Sequence, residues 1–290
     1  MLMRLLVFWI GLWPERWALA WGELLGRLVH ALGIRRRVAL ENLAQAFPEK
    51  SEREREAICA AHYRHLGRSA IEFFRSVKWS NEELLSRVDA NDWELVERAR
   101  AENKGLIACV AHLGNFEVLA GYAARRGVPL TAVTRQLKGK TNDAWMSLRG
   151  ELGVHELRGK NVIAKMIDVL RERNVLAVIV DQNMLPKRAI FAPLFGKLAA
   201  TTPAPAVLAE RTGAPVILAA LFRMPDGRFR TRILGPFALR GSGSERTQAL
   251  TDDLNRALET MIREHPEQWF WVHRRWKTRP PTEAMQVATP

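Results

Sequence analysis

The chain has 290 residues, 48% of them hydrophobic, with 44 Lys and Arg against 31 Asp and Glu for a formal net charge of +13. The apolar fraction excludes a disordered or fibrous chain and fits one large domain or a domain with a helical appendage. The cation excess suits polyanions, whether nucleic acid, anionic lipid or an acidic carrier protein, without choosing among them. Cys59 and Cys109 provide neither metal-ligand spacing nor a disulfide framework, so both are expected to be reduced thiols.

The amino-terminal LLVFWIGLW is apolar, but Glu23 and Arg27 soon interrupt the pattern, and a transmembrane helix needs about 20 predominantly apolar residues. Trp9, Trp13, Trp17 and Trp21 recur at steps of four, so a continuous helix would align them on one face. Such a stripe either packs into a core or lies at a bilayer interface, where the ring is buried and the N–H stays wet. Pro14 would start or kink the helix. The interfacial reading is preferred, with Arg35, Arg36 and Arg37 reaching anionic headgroups. A cleaved leader is the competing reading, on Arg4, the apolar run and Ala18-Leu19-Ala20, but cleavage there would cut through the tryptophan periodicity.

The next segments also read as helices: RRRVALENLAQAF, then EREREAICAAHYRHLGRSAIEFFR. Ser51 with Glu54, and Ser80 with Glu83, have capping-box spacing and predict helix starts near 52 and 81. From about 105, short apolar runs alternate with amphipathic segments. GLIACVA, PLTAVTR and NVLAVIV read as strands; NFEVLAGYAARRG, TNDAWMSLRGELG and NVIAKMIDVLRER read as helices. APVILAALFRM and RFRTRILGPF add two strands joined by a Pro225-Asp226-Gly227 turn, and 244–264 is a last long helix. The expected fold is α/β, a mixed central sheet covered by helices, with an amino-terminal helical membrane-associating region. The expected organisation is an arm over 1–30, a catalytic domain over 31–279 and a loose tail over 280–290.

His112 ends the first strand and Glu117 opens the following helix, at an α/β sheet edge where ligand sites commonly lie. A neutral imidazole there can take a proton from an alcohol as its oxygen attacks an acyl carbonyl, while a carboxylate orients the ring. The spacing alone carries little weight. With seven histidines and 31 acids in 290 residues, slightly less than one such coincidence is expected by chance.

The surrounding AHLGNFE, with Asn115 between the two, resembles the signature of the late acyltransferases of lipid A biosynthesis, the lauroyl and myristoyl transferases. The resemblance covers nearly the whole chain. RRRVALENLAQAFPEKSERER precedes the signature, and VTRQLKG, LRGELG, VDQN, PLFGKLAATTPAPAVLAERTGAPV and PEQWFWVHRRWK follow in order. It implies an α/β fold related to the glycerol-phosphate acyltransferases, at the cytoplasmic face of a Gram-negative inner membrane, with no cofactor or metal. The implied donor is an acyl thioester on acyl carrier protein. The implied acceptor is a hydroxyl on a hydroxyacyl chain of a lipid A precursor or related glycolipid. On this resemblance His112 is the general base and Glu117 its orienting partner. Arg149 in LRGELG holds the thioester oxygen or a substrate phosphate, with Asn115, Arg135 and Asp181 as further substrate-binding residues.

The final WFWVHRRWK interleaves aromatics and cations; as a strand it would turn Trp269, Trp271, His273 and Arg275 one way and Arg274 and Trp276 the other. This suits a membrane- or carrier-facing surface, single-stranded nucleic acid, or a core element with snorkelling arginines. The family resemblance, rather than composition, decides against nucleic acid. The alternatives to the leading reading are a coenzyme A-dependent acyltransferase acting on another lipid, and a non-catalytic basic protein that binds membrane or nucleic acid.

Overall fold

The computed structural model describes residues 2–134, 139–159 and 161–280. The first part is helical: Leu2–Leu12 (α1), Glu15–Ala31 (α2), Arg36–Ala46 (α3), Glu52–Ser76 (α4) and Asn81–Ser86 (α5). A short strand, Val88–Asp89 (β1), and a helix, Glu94–Ala101 (α6), lead into the alternating region. There follow Leu106–Gly114 (β2), Phe116–Arg125 (α7), Leu130–Val133 (β3), Lys140–Glu151 (α8), His155–Leu157 (β4), Val162–Arg171 (α9) and Val175–Ile179 (β5). A hairpin of Ile190–Leu194 (β6) and Lys197–Thr201 (β7) precedes Ala204–Thr212 (α10), Val216–Arg223 (β8), Phe229–Leu234 (β9) and Gly243–Glu264 (α11). Residues 281–290, most of the expected tail, lie outside the described residues.

At α4 and α5 the helix starts follow from side-chain capping of free amides. At α4 the Ser51 hydroxyl accepts the Glu54 N–H while the Glu54 carboxylate accepts the Ser51 N–H, a reciprocal capping box. At α5 Ser80 accepts the Glu83 N–H.

Among the described residues seven strands form a mixed, mostly parallel sheet in the order β1-β9-β8-β2-β5-β3-β4, in which β9 runs antiparallel to β8. Central β2 is buried on both sides and correspondingly apolar along its length. Strand alternation sends Ile107 and Cys109 into one core, with Leu208 of α10 and Leu254 of α11. It sends Leu106 and Ala108 into the other, with Val118 and Leu119 of α7. The expected helix-covered α/β sheet is therefore present.

The amino-terminal helix is not continuous. It breaks at Trp13-Pro14, and Pro14 caps α2. Trp9, Trp13, Trp17 and Trp21 are all exposed, at 59%, 40%, 58% and 48%, so the stripe does not face a core. Instead α2 turns Ala18, Gly22 and Gly26 inward. A Cβ on Gly26 would lie 2.0 Å from the Tyr63 carbonyl oxygen, and one on Gly67 would lie 1.9 Å from that of Gly22, so glycine permits the close crossing of α2 and α4. Among the described residues no helix is long and apolar enough to cross a membrane.

The carboxyl-terminal WFWVHRRWK is also different from the expected strand. Only a single bridge forms, between Leu113 and Trp269, and the chain then turns. Trp269, Trp271, Trp276 and Arg275 are all buried, so two residues expected on opposite faces lie in the same interior. Arg275 does not snorkel: its guanidinium donates to the Ala200 carbonyl at 2.8 Å and to Thr201 Oγ1 at 2.6 Å. Burial pulls its pKa down to about 10, partly opposed by the negative charge of Asp181.

Candidate active site

Parallel register brings the two central polar groups together. Val110 of β2 pairs with Ile179 of β5, and two residues further along each chain stand His112 and Asp181. Both lie at the carboxyl ends of adjacent strands. Asp181 is 3% exposed. One of its oxygens accepts the His112 main-chain N–H and the Trp269 indole N–H, each at 2.9 Å. The other faces His112 Nδ1 at 2.9 Å.

An ionised carboxylate can only accept hydrogen bonds, so in the neutral ring Nδ1 carries the proton and Nε2 keeps its lone pair. The Gln182 amide nitrogen is 3.5 Å from Nε2, at the outer limit of hydrogen bonding. Burial opposes charge on His112, but Asp181, with a smaller contribution from Glu117, outweighs it and holds the imidazole above its ordinary pKa of 6.5. Burial likewise opposes charge on Asp181, yet His112 and Trp269 keep its pKa below the ordinary value. Phe116 and Phe270 flank the imidazole at 5.0 and 5.6 Å between ring centres. The Phe270 N–H also donates to the His112 carbonyl at 3.0 Å.

Glu117 is not the carboxylate on the His112 ring. Gly114 adopts a left-handed φ of 62°, where a Cβ would meet the Leu221 carbonyl at 2.1 Å, and Asn115 caps α7. After this turn the Glu117 side chain lies against α8. It accepts from Arg149 Nε and Nη2 at 2.8 and 2.7 Å and from Trp145 Nε1 at 2.9 Å. Burial opposes the charge on Arg149, but Glu117 and Glu156 outweigh it and hold its pKa above the ordinary value.

Asn115 does not face a substrate space either. It is 2% exposed, accepts the Val118 N–H, and donates to Glu72 at 2.8 Å and to the Ser69 carbonyl at 3.2 Å. Asp181, expected to bind substrate, contacts the imidazole instead. Arg135 lies outside the described residues. Trp269, Phe270 and Trp145 were absent from the expected site. Trp269 and Phe270 were visible in the sequence only as members of an aromatic-basic cluster, with nothing to show that it folds back onto His112. Among the described residues no group of three or more His, Cys, Asp or Glu side chains is arranged to hold a metal ion.

The pattern of the bacterial lipid A biosynthesis acyltransferases matches residues 1–278. The chain belongs to this acyltransferase family. It is 27% identical over 252 residues to the lipid A biosynthesis palmitoleoyltransferase of Escherichia coli K12, covering 86% of this chain and 81% of that protein. It is 27% identical over 249 residues to the lipid A biosynthesis lauroyltransferase of the same organism, covering 85% and 80% respectively. The crystal structure of the 1-acyl-sn-glycerophosphate acyltransferase of Thermotoga maritima aligns with 86% of this chain and 98% of that one, at 14% identity and a TM-score of 0.38.

In this lipid A acyltransferase, His112 borders an open cleft of about 730 Å³, with Trp145, Met146 and Gln182 in its walls. Beside it a small apolar cavity of about 80 Å³ lies between the sheet and α7. Small residues make this room. Ala108, Ala177 and Ala132 stand at one level across β2, β5 and β3, and all three line the cavity. Val133, Thr134, Arg149 and Ile179 line both spaces and form the neck between them. The Thr134 hydroxyl is buried there without a partner among the described residues.

Proposed function

We propose that this acyltransferase moves a fatty acyl group from an acyl carrier protein thioester to a hydroxyl on a hydroxyacyl chain of a lipid A precursor. The observation that carries the reading is the Asp181-held imidazole in a cleft joined, through the Arg149 neck, to an apolar cavity. A hydrocarbon tail fits the cavity's chemistry, because burying each methylene contributes about 0.8 kcal/mol. The thioester carbonyl would then lie at the neck, within the cleft bordered by His112.

In this reading His112 Nε2 accepts the acceptor hydroxyl proton as the oxygen attacks the thioester carbon. Asp181 stabilises the resulting imidazolium and holds the ring's orientation. Arg149 supplies positive charge to the tetrahedral oxyanion. Collapse breaks the carbon–sulfur bond, the imidazolium returns its proton to the departing thiolate, and an acyloxyacyl ester remains. Glu117 acts as a positioning residue that fixes Arg149 and Trp145. The exposed tryptophans of 1–30 favour work at the inner-membrane surface, where an interfacial arm would bring the remaining domain to a lipid acceptor.

The test is product analysis. Purified protein is incubated with lipid A precursors and either acyl carrier protein or coenzyme A thioesters, and the lipids are resolved by mass spectrometry. An added acyl chain with the carrier-protein donor is expected. Transfer only from coenzyme A would overturn the donor assignment, and no acylation of any precursor would overturn the acceptor assignment.

A further inference from the structure

On a surface apart from the His112 cleft, α3 and the carboxyl-terminal turn enclose a second, polar cleft of about 420 Å³. Asn42 sets its geometry. Its amide donates to the Trp271 and His273 carbonyls, each at 2.6 Å, holding the turn beside α3. Four cations line the space, Arg37, Arg274, Lys277 and Arg279, against one carboxylate among the described residues, Glu41. Glu41 pairs with Arg37 at 2.7 Å, but that contact is exposed, and such pairs exchange readily for another anion. Arg274 and Lys277 are exposed and have no ion pair among the described residues. Guanidinium forks and an ammonium around a concavity match the oxygens of a phosphate group.

The neighbouring surface favours a lipid phosphate. The exposed apolar residues of α2 and the following turn continue through Leu28, Leu32 and Ile34, and the arginine run begins at the next residue. Arg37 is three residues beyond Ile34, so the backbone separates them by no more than about 11 Å. An apolar stripe that meets a basic cleft over this distance resembles the boundary between acyl chains and headgroups.

We propose that the Arg37–Arg274–Lys277–Arg279 cleft binds the phosphate headgroup of an anionic phospholipid and thereby anchors the enzyme beside its amino-terminal arm. This rests on the reading that the protein works at a membrane surface. The full chain is tested by co-sedimentation with phosphatidylcholine vesicles, with and without phosphatidylglycerol. Wild-type binding should rise with the anionic lipid. Arg274→Ala with Lys277→Ala should remove about fivefold of that gain per cation, leaving binding to neutral vesicles unchanged. A control, Arg171→Ala with Arg211→Ala, removes two other exposed cations.

An equal loss in the control would overturn the cleft assignment in favour of diffuse attraction. So would an unchanged response in the cleft variant. If the alanine pair loses its thermal transition, Arg274→Gln with Lys277→Gln provides the same comparison. Acyl transfer in detergent micelles should be unchanged in the cleft variant; a large fall there would reassign the cations to a substrate. Failure of wild-type enzyme to acylate any precursor would instead count against the proposed reaction, while the vesicle result would still decide the headgroup site.

Discussion

Asp181 grips His112 twice, at the main-chain N–H and at Nδ1, while Trp269 donates to the oxygen that receives the main-chain bond. Three donors on one buried carboxylate explain why it remains ionised, and a ring held through Nδ1 keeps Nε2 available for proton transfer.

His112 has a raised pKa and acts as base only when neutral, so kcat/KM should rise with pH through a limb centred above 6.5. Asp181→Asn removes the strongest upward influences and leaves burial, so the limb should move downward and the plateau should fall by roughly 10³-fold. The same ion pair contributes to stability. Its His112 part is fully present below pH 6.5 and is lost as pH rises through the raised folded pKa. An unmoved acidic limb in Asp181→Asn would refute the assignment of Asp181 as the imidazole's partner.

Trp269→Phe keeps an aromatic side chain, smaller by one ring, and deletes one donor to Asp181. The less neutralised carboxylate should support the imidazolium more strongly, shifting the acidic limb upward, opposite to Asp181→Asn. The expected fall in kcat is about tenfold, from a lost charge-assisted hydrogen bond of about 1.5 kcal/mol. Equal limbs in wild type and variant would reduce Trp269 to a packing residue.

The bidentate Glu117–Arg149 pair is largely buried, with side-chain exposures of 8% and 14%. Glu117→Ala leaves a buried guanidinium whose remaining carboxylate contact is Glu156 at 3.4 Å, and should cost about 3 kcal/mol of stability. Arg149→Ala should cost a similar amount, and the double variant less than their sum. Urea denaturation measures this coupling. Strict additivity would contradict the contact.

Ala177 occupies the middle of the alanine row under the apolar cavity. Ala177→Leu should shorten the preferred acyl chain, with discrimination of roughly tenfold or more for each methylene displaced. Competition between donors of different length, read by product mass, reports the change. An unaltered length preference would place the acyl tail elsewhere.

Much of this architecture was legible because hydrophobic period and caps agree. The serine caps located α4 and α5, and the apolar runs became β2, β3, β5, β8 and β9. The β6–β7 hairpin was not legible. Its turn uses Phe195 and Gly196, both at positive φ, and aromatic Phe195 is an unusual residue there. Tryptophan spacing located a helical face, but only contact with α4 could show that Ala18, Gly22 and Gly26 occupy the inward side. The family signature implied Glu117 as the partner that orients His112. Register between β2 and β5, a property of the assembled sheet, instead brings in Asp181 from a different strand.

The bond from Phe270 to the His112 carbonyl, and that from Trp269 to Asp181, also set an order of construction. During synthesis, β2 and β5 leave the ribosome long before residues 269–270, so the imidazole and its carboxylate can meet early while their clamp is still missing. A nascent chain in that state has a sheet but an unfinished catalytic centre. Full chemical competence arrives only when residues 269 and 270 have emerged and folded back onto the strand ends, which delays activity well beyond the formation of the sheet's centre.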